Sequence, residues 1–341
     1  MSGLGDSGAA MRRRDFISLV ASAAAAWPLP SHAQQADRVR RIGVLMPFSE
    51  TDAEGKLELA AFADQLRDLG WTDGRNLRVE YRWSAGNPER MQALAKELSA
   101  LQPDVLFSRS TPVTGALIKQ TRTIPIVFAV VSDPVGEGFV ASLARPGGNA
   151  TGFTNAEASL TGKWLGLLKE IMPSINRVAF IFDPKVAPGG GSYYTKLVGS
   201  AAPSFAVVPT AAPVHDGVGI ERAIGDFANK PDGGLLVLPD ATTNLHRELI
   251  IALAARYRMP AVYGFRHIAE EGGLISYGVD VVELFRRAAT YVDRILKGAK
   301  PADLAVQLPE KFQLAINLKT AAAMGLKIPT SLQLIADKMI E

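Results

Sequence analysis

Residues Ile124–Asn155 read IPIVFAVVSDPVGEGFVASLARPGGNATGFTN. The first nine, Ile124–Ser132, are apolar almost without interruption. A strand covered by helices on both faces of a parallel sheet has that pattern, whereas a half-exposed strand alternates. Asp133-Pro134 follows, an N-cap residue and a proline whose fixed φ suits the first turn of a helix. Arg145–Asn155 is then polar and rich in glycine, with a short strand after it. One stretch thus closes a strand–helix series and provides the break before another.

Outward from this point the same alternation repeats. Arg41–Phe48, Leu77–Trp83 and Asp104–Ser108 are earlier strands, and Arg177–Phe182, Phe205–Thr210, Gly234–Leu238, Ala261–Phe265 and Leu274–Tyr277 are later ones. Between them lie amphipathic helices. Ala53–Leu69 places Leu57, Ala60, Ala61, Ala63 and Leu66 near one stripe and ends at Gly70, and Pro88–Leu101 places Met91, Leu94, Ala95 and Leu98 on one face. Strand–helix alternation in two series implies an α/β fold of two doubly wound, Rossmann-like lobes. A long helix, Val281–Lys297, and the segment after it read as chain returning between the lobes. The expected lobes are 38–152 plus about 281–312, and 153–280 plus about 313–341. Lobes joined by several crossings form a cleft whose walls hinge.

The chain has 341 residues, more than one hydrophobic core usually supports. It has no cysteine, which excludes disulfides, iron–sulfur clusters and thiolate nucleophiles. Near the start, Arg12, Arg13 and Arg14 stand before an apolar run from Phe16 to Leu29. That run is too short for a transmembrane helix, which takes roughly 20 apolar residues. It fits the apolar part of a secretory signal, with Ser31-His32-Ala33 as the small-residue site and cleavage before Gln34. The competing reading is a buried helix opening the domain. Arg13-Arg14-Asp15-Phe16-Ile17 resembles a twin-arginine export signal, with Arg12 in place of the usual upstream Ser or Thr; export in the unfolded state is the alternative. Removal of residues 1–33 takes away three Arg and two Asp, so the net charge falls from +3 to +2. Near-neutrality without a Lys/Arg block gives no footprint for nucleic acid. With no cysteine to carry lipid, the exported product is expected to be soluble in the periplasm.

In open α/β sheets, ligands gather at strand C-termini beside helix N-termini. That rule selects SRSTPVTGALIK after the third strand, with Thr111 as N-cap, and VSDPVGEG after the fourth, with Asp133 as N-cap. In the second series it selects FDPKVAPGGGSYY and LPDATTNLHRE. The candidate ligand residues are Ser110, Thr111, Ser132, Asp133, Asp240 and Thr242, with Phe48, Tyr263, Phe153 and Phe265 as aromatic walls. Each also has a plain reading as cap or core. Pro188–Ser192, PGGGS, lacks the ending of a phosphate-binding loop and reads as a loop over the cleft. The four histidines show no metal spacing, and no nucleophile elbow is present. No catalytic residue, metal or cofactor is expected.

Taken together, GKLELAAFADQLRDLGWTDGRNLRVEYRW, the opening stretch, LPDATTNLHRELIIALAARYRMPAVYGF, GGLISYGVD, LFRRAATYVDRILKG and FQLAINLKTAAAMGL resemble the substrate-binding proteins of ABC import systems. The subgroup is the tryptophan/tyrosine type, and the resemblance covers roughly residues 40–330. It implies a type I periplasmic binding fold without catalysis. It places cleft loops at Ser110-Thr111, Ser132-Asp133, Asp240-Ala241-Thr242 and Tyr263. Hinge crossings fall at Thr151–Thr154, Tyr277–Asp280 and Gln313–Asn317, so Thr154 and Tyr277 join the candidate ligand set. The implied function is capture of a small solute, an amino acid or an aromatic or carboxylate compound. The implied partners are a membrane permease and its ATPase subunits. A secreted α/β enzyme and a sensor module for a membrane receptor are the competing functions.

Overall fold

The structure is a computed structural model that describes residue 3 and residues 38–155 and 159–341; the expected export signal lies outside the described residues. Residues 40–341 form one unit built on two sheets. The first half runs β1 (Arg40–Met46), α1 (Ala53–Asp68), β2 (Leu77–Trp83), α2 (Pro88–Ala100), β3 (Val105–Arg109), α3 (Thr111–Gln120), β4 (Ile126–Val131) and β5 (Ala150–Thr154). The second runs α4 (Ser159–Ile171), β6 (Arg177–Phe182), α5 (Ser192–Ala201), β7 (Val208–Pro213), α6 (Gly217–Ala228), β8 (Gly233–Val237), α7 (Ala241–Leu245), α8 (Arg247–Arg256), β9 (Ala261–Tyr263), α9 (Arg266–Glu270) and β10 (Ile275–Val279). The remainder is α10 (Val281–Leu296), β11 (Phe312–Asn317), α11 (Leu318–Met324), α12 (Thr330–Ile335) and β12 (Lys338–Ile340).

The first sheet has the order β2-β1-β3-β4-β5 and is parallel throughout. The second has the order β7-β6-β8-β9-β10-β11-β12, parallel except where β10 meets β11. The first five strands of each half, in chain order, therefore follow one plan, 2-1-3-4-5. The continuous apolar runs are the reason: β3 and β4 are buried at every residue, as strands with helices on both faces must be. Phe62 of α1 stacks on Phe107 of β3 with ring centroids 4.4 Å apart, and Phe285 of α10 meets Phe107 edge-on at 5.2 Å. The long helix α10 thus returns to the first sheet and packs along α1 and β4.

Three differences from the sequence reading have local causes. The strand expected at Phe205–Thr210 begins at Val208, because Ala202–Phe205 forms a tight helical turn around Pro203 and Ala206 takes a left-handed φ of 51°. Thr151–Thr154 is not itself a crossing. It pairs with Val127–Val131 inside the first sheet, so the chain changes sheet after Thr154, not after residue 152. Gln313–Asn317 likewise lies inside β11, and the crossing is the segment just before it. There Gln307 hydrogen-bonds backbone to backbone with both Gly152 and Thr154.

Candidate functional site

A doubly wound sheet leaves a crevice where adjacent strands send their connections in opposite directions. With the order 2-1-3-4-5, that point lies between β1 and β3 in the first half and between β6 and β8 in the second. The C-terminal ends of those four strands carry Phe48, Arg109-Ser110, Asp183 and Asp240. A small cavity of about 20 Å³ opens there, lined from one half by Arg109, Ser110, Thr111, Val130 and Ser132. The other half contributes Val186, Pro188, Tyr194, Asp240 and Phe265.

On the first side, Ser110 is the N-cap of α3 and Thr111 its first helical residue, one position earlier than the sequence reading. Ser110 holds φ 80°, ψ 156°, and no side chain caps the helix. Its Oγ is buried without a partner. The strain arises because β3 ends in a fully buried residue and the helix must start at once, with Pro112 fixing the first turn. Thr111 Oγ1 accepts a hydrogen bond from the Ser132 backbone N–H at 3.3 Å and so joins the β3 and β4 loops.

Arg109, absent from the sequence candidates, is nearly inaccessible. Its Nε donates to Glu58 Oε2 of α1 at 2.7 Å, and Glu58 is fully buried. The guanidinium carbon stands 4.3 Å from the Phe48 ring centroid and 5.6 Å from that of Phe265, which comes from the other half. Burial pushes the Glu58 carboxyl up to about 7, against the opposing pull of Arg109. Arg109 Nη2 and Glu58 Oε1 are buried with no partner. The sequence signal was an arginine directly after an apolar strand and before a capped helix; its partner on α1 is 51 residues away in sequence.

On the second side, Asp240 caps α7 as expected. Its Oδ1 accepts from Thr243 N at 2.7 Å, and Oδ2 accepts from Asp183 N at 2.8 Å. Burial pushes its carboxyl up to about 6, although the Thr243 and Asp183 N–H groups act the other way. Thr242 Oγ1 donates to Asp183 Oδ2 at 2.7 Å, and His215 Nδ1 lies 3.0 Å from Asp183 Oδ1. Thr242 therefore supports Asp183 and does not line the cavity. The hydroxyls of Tyr194 and Ser132 meet across the halves at 3.4 Å.

The structure does not bring the other candidates to this cavity. Asp133 caps a turn through Gly136 N, not a helix, and only Ser132 beside it lines the space. Thr154 faces the Gln307 carbonyl. Tyr263 is embedded in the core, and Phe153 packs on Tyr291. Tyr277 stacks on Phe312 with centroids 5.9 Å apart, and its carbonyl accepts from Trp164 Nε1. Phe48 touches the site through the Arg109 face alone. The PGGGS segment does lie at the cleft: Gly189 N donates to Glu137 Oε1 of the first half at 3.1 Å. Among the described residues, no group of three or more His, Asp or Glu is placed to hold a metal ion, and no helix is long and apolar enough to cross a membrane.

The decisive comparison is with the sequence pattern of the ABC transporter substrate binding proteins, which matches residues 42–340. The chain belongs to that family. A tyrosine-binding protein of Clostridioides difficile (strain R20291) is 24% identical over 269 residues, covering 78% of this chain and 76% of that protein. A conserved domain protein from Vibrio cholerae superposes with a TM-score of 0.82 at 27% identity, over 89% of this chain and all of that one. The ABC domain from Streptococcus pneumonia in complex with L-Trp superposes at 0.81, with 24% identity over 88% and 99% of the two chains. The fold is the two-lobed type I fold of periplasmic binding proteins, and the two halves are its lobes. As a substrate-binding protein of the ABC family, the chain has its polar cavity at the junction where such lobes meet.

Proposed function

We propose that the chain captures a small organic solute of the amino-acid or aromatic-acid class between its lobes and delivers it to a membrane permease with ATPase subunits. One observation carries the reading. Buried polar groups from both lobes converge on a single small cavity, with Arg109 and Ser110 on one wall and Asp240 on the other. A zwitterion has the matching charges: an acid for the arginine and the start of α3, and an ammonium for Asp240. Relatives that bind tyrosine or L-Trp support that class. Membership of a substrate-binding family supports binding without catalysis. The proposal places the protein in the periplasm, with residues 1–33 as its export signal and Gln34 as the first mature residue.

A thermal-shift screen of the mature protein against amino acids, aromatic acids, small carboxylates and sugars tests this. A solute at 100 times its Kd stabilises the fold by about 2.7 kcal/mol. Asp240→Asn keeps a capping side chain and removes the charge. If Asp240 receives the ammonium, the variant binds the identified solute more weakly by about 1.5–3 kcal/mol, the worth of a charged hydrogen bond. Unchanged calorimetric affinity would reduce Asp240 to a cap.

A further inference from the structure

The inner wall of the cavity holds more than lobe closure needs. Arg109 and Glu58 are both buried, and a buried ion pair is retained at a cost unless its remaining donors and acceptors are satisfied. Here they are not: Nη2 of Arg109 and Oε1 of Glu58 have no partner. The guanidinium lies 4.3 Å from the Phe48 ring centroid and 5.6 Å from that of Phe265, and the bonds it can still form lie in its plane. Next in the chain, the Ser110 hydroxyl is also buried and unpartnered, and it stands at the N-terminus of α3, a ten-residue helix with no side-chain cap. Arg109 and Ser110 line the same cavity. An arginine donor and a hydroxyl, both unsatisfied, thus converge with a positive helix end that no side chain caps.

We infer that Arg109, positioned by Glu58 and flanked by the rings of Phe48 and Phe265, binds the carboxylate of the solute and restricts the protein to carboxylate-bearing ligands. This rests on the solute-capture reading above. Glu58 tunes the choice. A lone buried arginine would call for a full counter-charge, and a phosphate would bring two. With Glu58 already on Nε the pair is close to neutral, which disfavours a doubly charged group and leaves the open Nη2, the Ser110 hydroxyl and the helix end to hold a singly charged one. Because Phe265 of the second lobe also lies beside the guanidinium, the arginine takes its final surroundings only when the lobes meet. Recognition of the acid and closure are then one event.

The test is calorimetry on the mature full-length chain with matched pairs: L-tyrosine, L-tryptophan and 4-hydroxybenzoate, each against its primary amide. The expected result is that at least one acid binds and its amide binds roughly 10- to 100-fold more weakly, the range of one charged hydrogen bond. Glu58→Leu/Arg109→Met removes both charges without orphaning either, an exchange that buried pairs often tolerate. In that double variant the acid-to-amide ratio should collapse to about one. Should the double variant fail to fold, Arg109→Lys carries the test: it keeps the charge, loses the planar fork, and should lower the ratio at least about fivefold. Equal affinity for acid and amide, an acid preference that survives these changes, or stabilisation only by inorganic phosphate or neutral polyols would overturn the inference and leave solute capture standing. No stabilisation by any compound of the panel would overturn both.

Discussion

Glu58 and Arg109 link proton binding to the fold. The Glu58 carboxyl sits at about 7 in the folded protein against an ordinary value of 4.5. Between those values the native state holds a proton that the unfolded chain has released, so this group's contribution to stability falls as pH rises from about 4.5 to 7. Asp240, raised from 3.8 to about 6, acts in the same direction over its own window. The groups facing Glu58 are Arg109 from β3 and Asp52 and Glu54 from α1; His267 and Arg266 of α9 act on Glu54. Denaturant titrations at pH 5, 6 and 7 should show the loss flattened in Glu58→Gln by an amount of order 2 kcal/mol, since each tenfold change in proton affinity is worth about 1.4 kcal/mol. Parallel wild-type and variant slopes would refute it. At this scale the sequence was partly legible. Asp240, Ser110 and Ser132 could be found because strand ends followed by caps mark a cleft. Arg109 and Glu58 could not be paired, since nothing in a linear pattern brings the end of β3 to the second turn of α1.

The start of α3 shows what an element gives up to serve a site. Ser110 is the only non-glycine helix N-cap among the described residues held at a clearly positive φ, and it stands between a strand buried to its last residue and a proline. Such a backbone costs of order 1–3 kcal/mol in a residue with a side chain. Ser110→Gly should therefore raise the denaturation midpoint, by about 1 kcal/mol after glycine's own entropy cost, while weakening solute binding through the lost hydroxyl. A variant that is less stable than the parent would contradict the strain. The element boundaries tell a related story. β3 and β4 were readable because burial on both faces leaves no alternation. β7 was misplaced because it is an edge strand with most residues accessible, and its leading segment turns at Pro203 instead. β11 and β12 went unread as strands; their partners, β10 and each other, are known only from tertiary pairing.

At the scale of the whole molecule, two α/β halves were visible in the doubled strand–helix series, their shared 2-1-3-4-5 strand order was not, and the crossing segments were displaced by a few residues from their expected places. Polar contacts between the lobes add to the apolar packing that the two halves share. Arg247 reaches Asp52 at 3.6 Å, His267 stands 3.7 Å from Glu54, and Gly189 bonds Glu137. In capture by lobe closure, the closed arrangement should be favoured further by a solute touching both walls. The absence of cysteine makes that directly measurable, because two labels can be introduced without background. Spin labels at Lys96→Cys in the first lobe and Lys230→Cys in the second report the distance between lobes. Without solute the distance distribution should include a longer, open population, and saturating acid from the calorimetric panel should collapse it onto a single shorter distance. A distribution that stays the same when the solute is demonstrably bound would contradict capture by lobe closure.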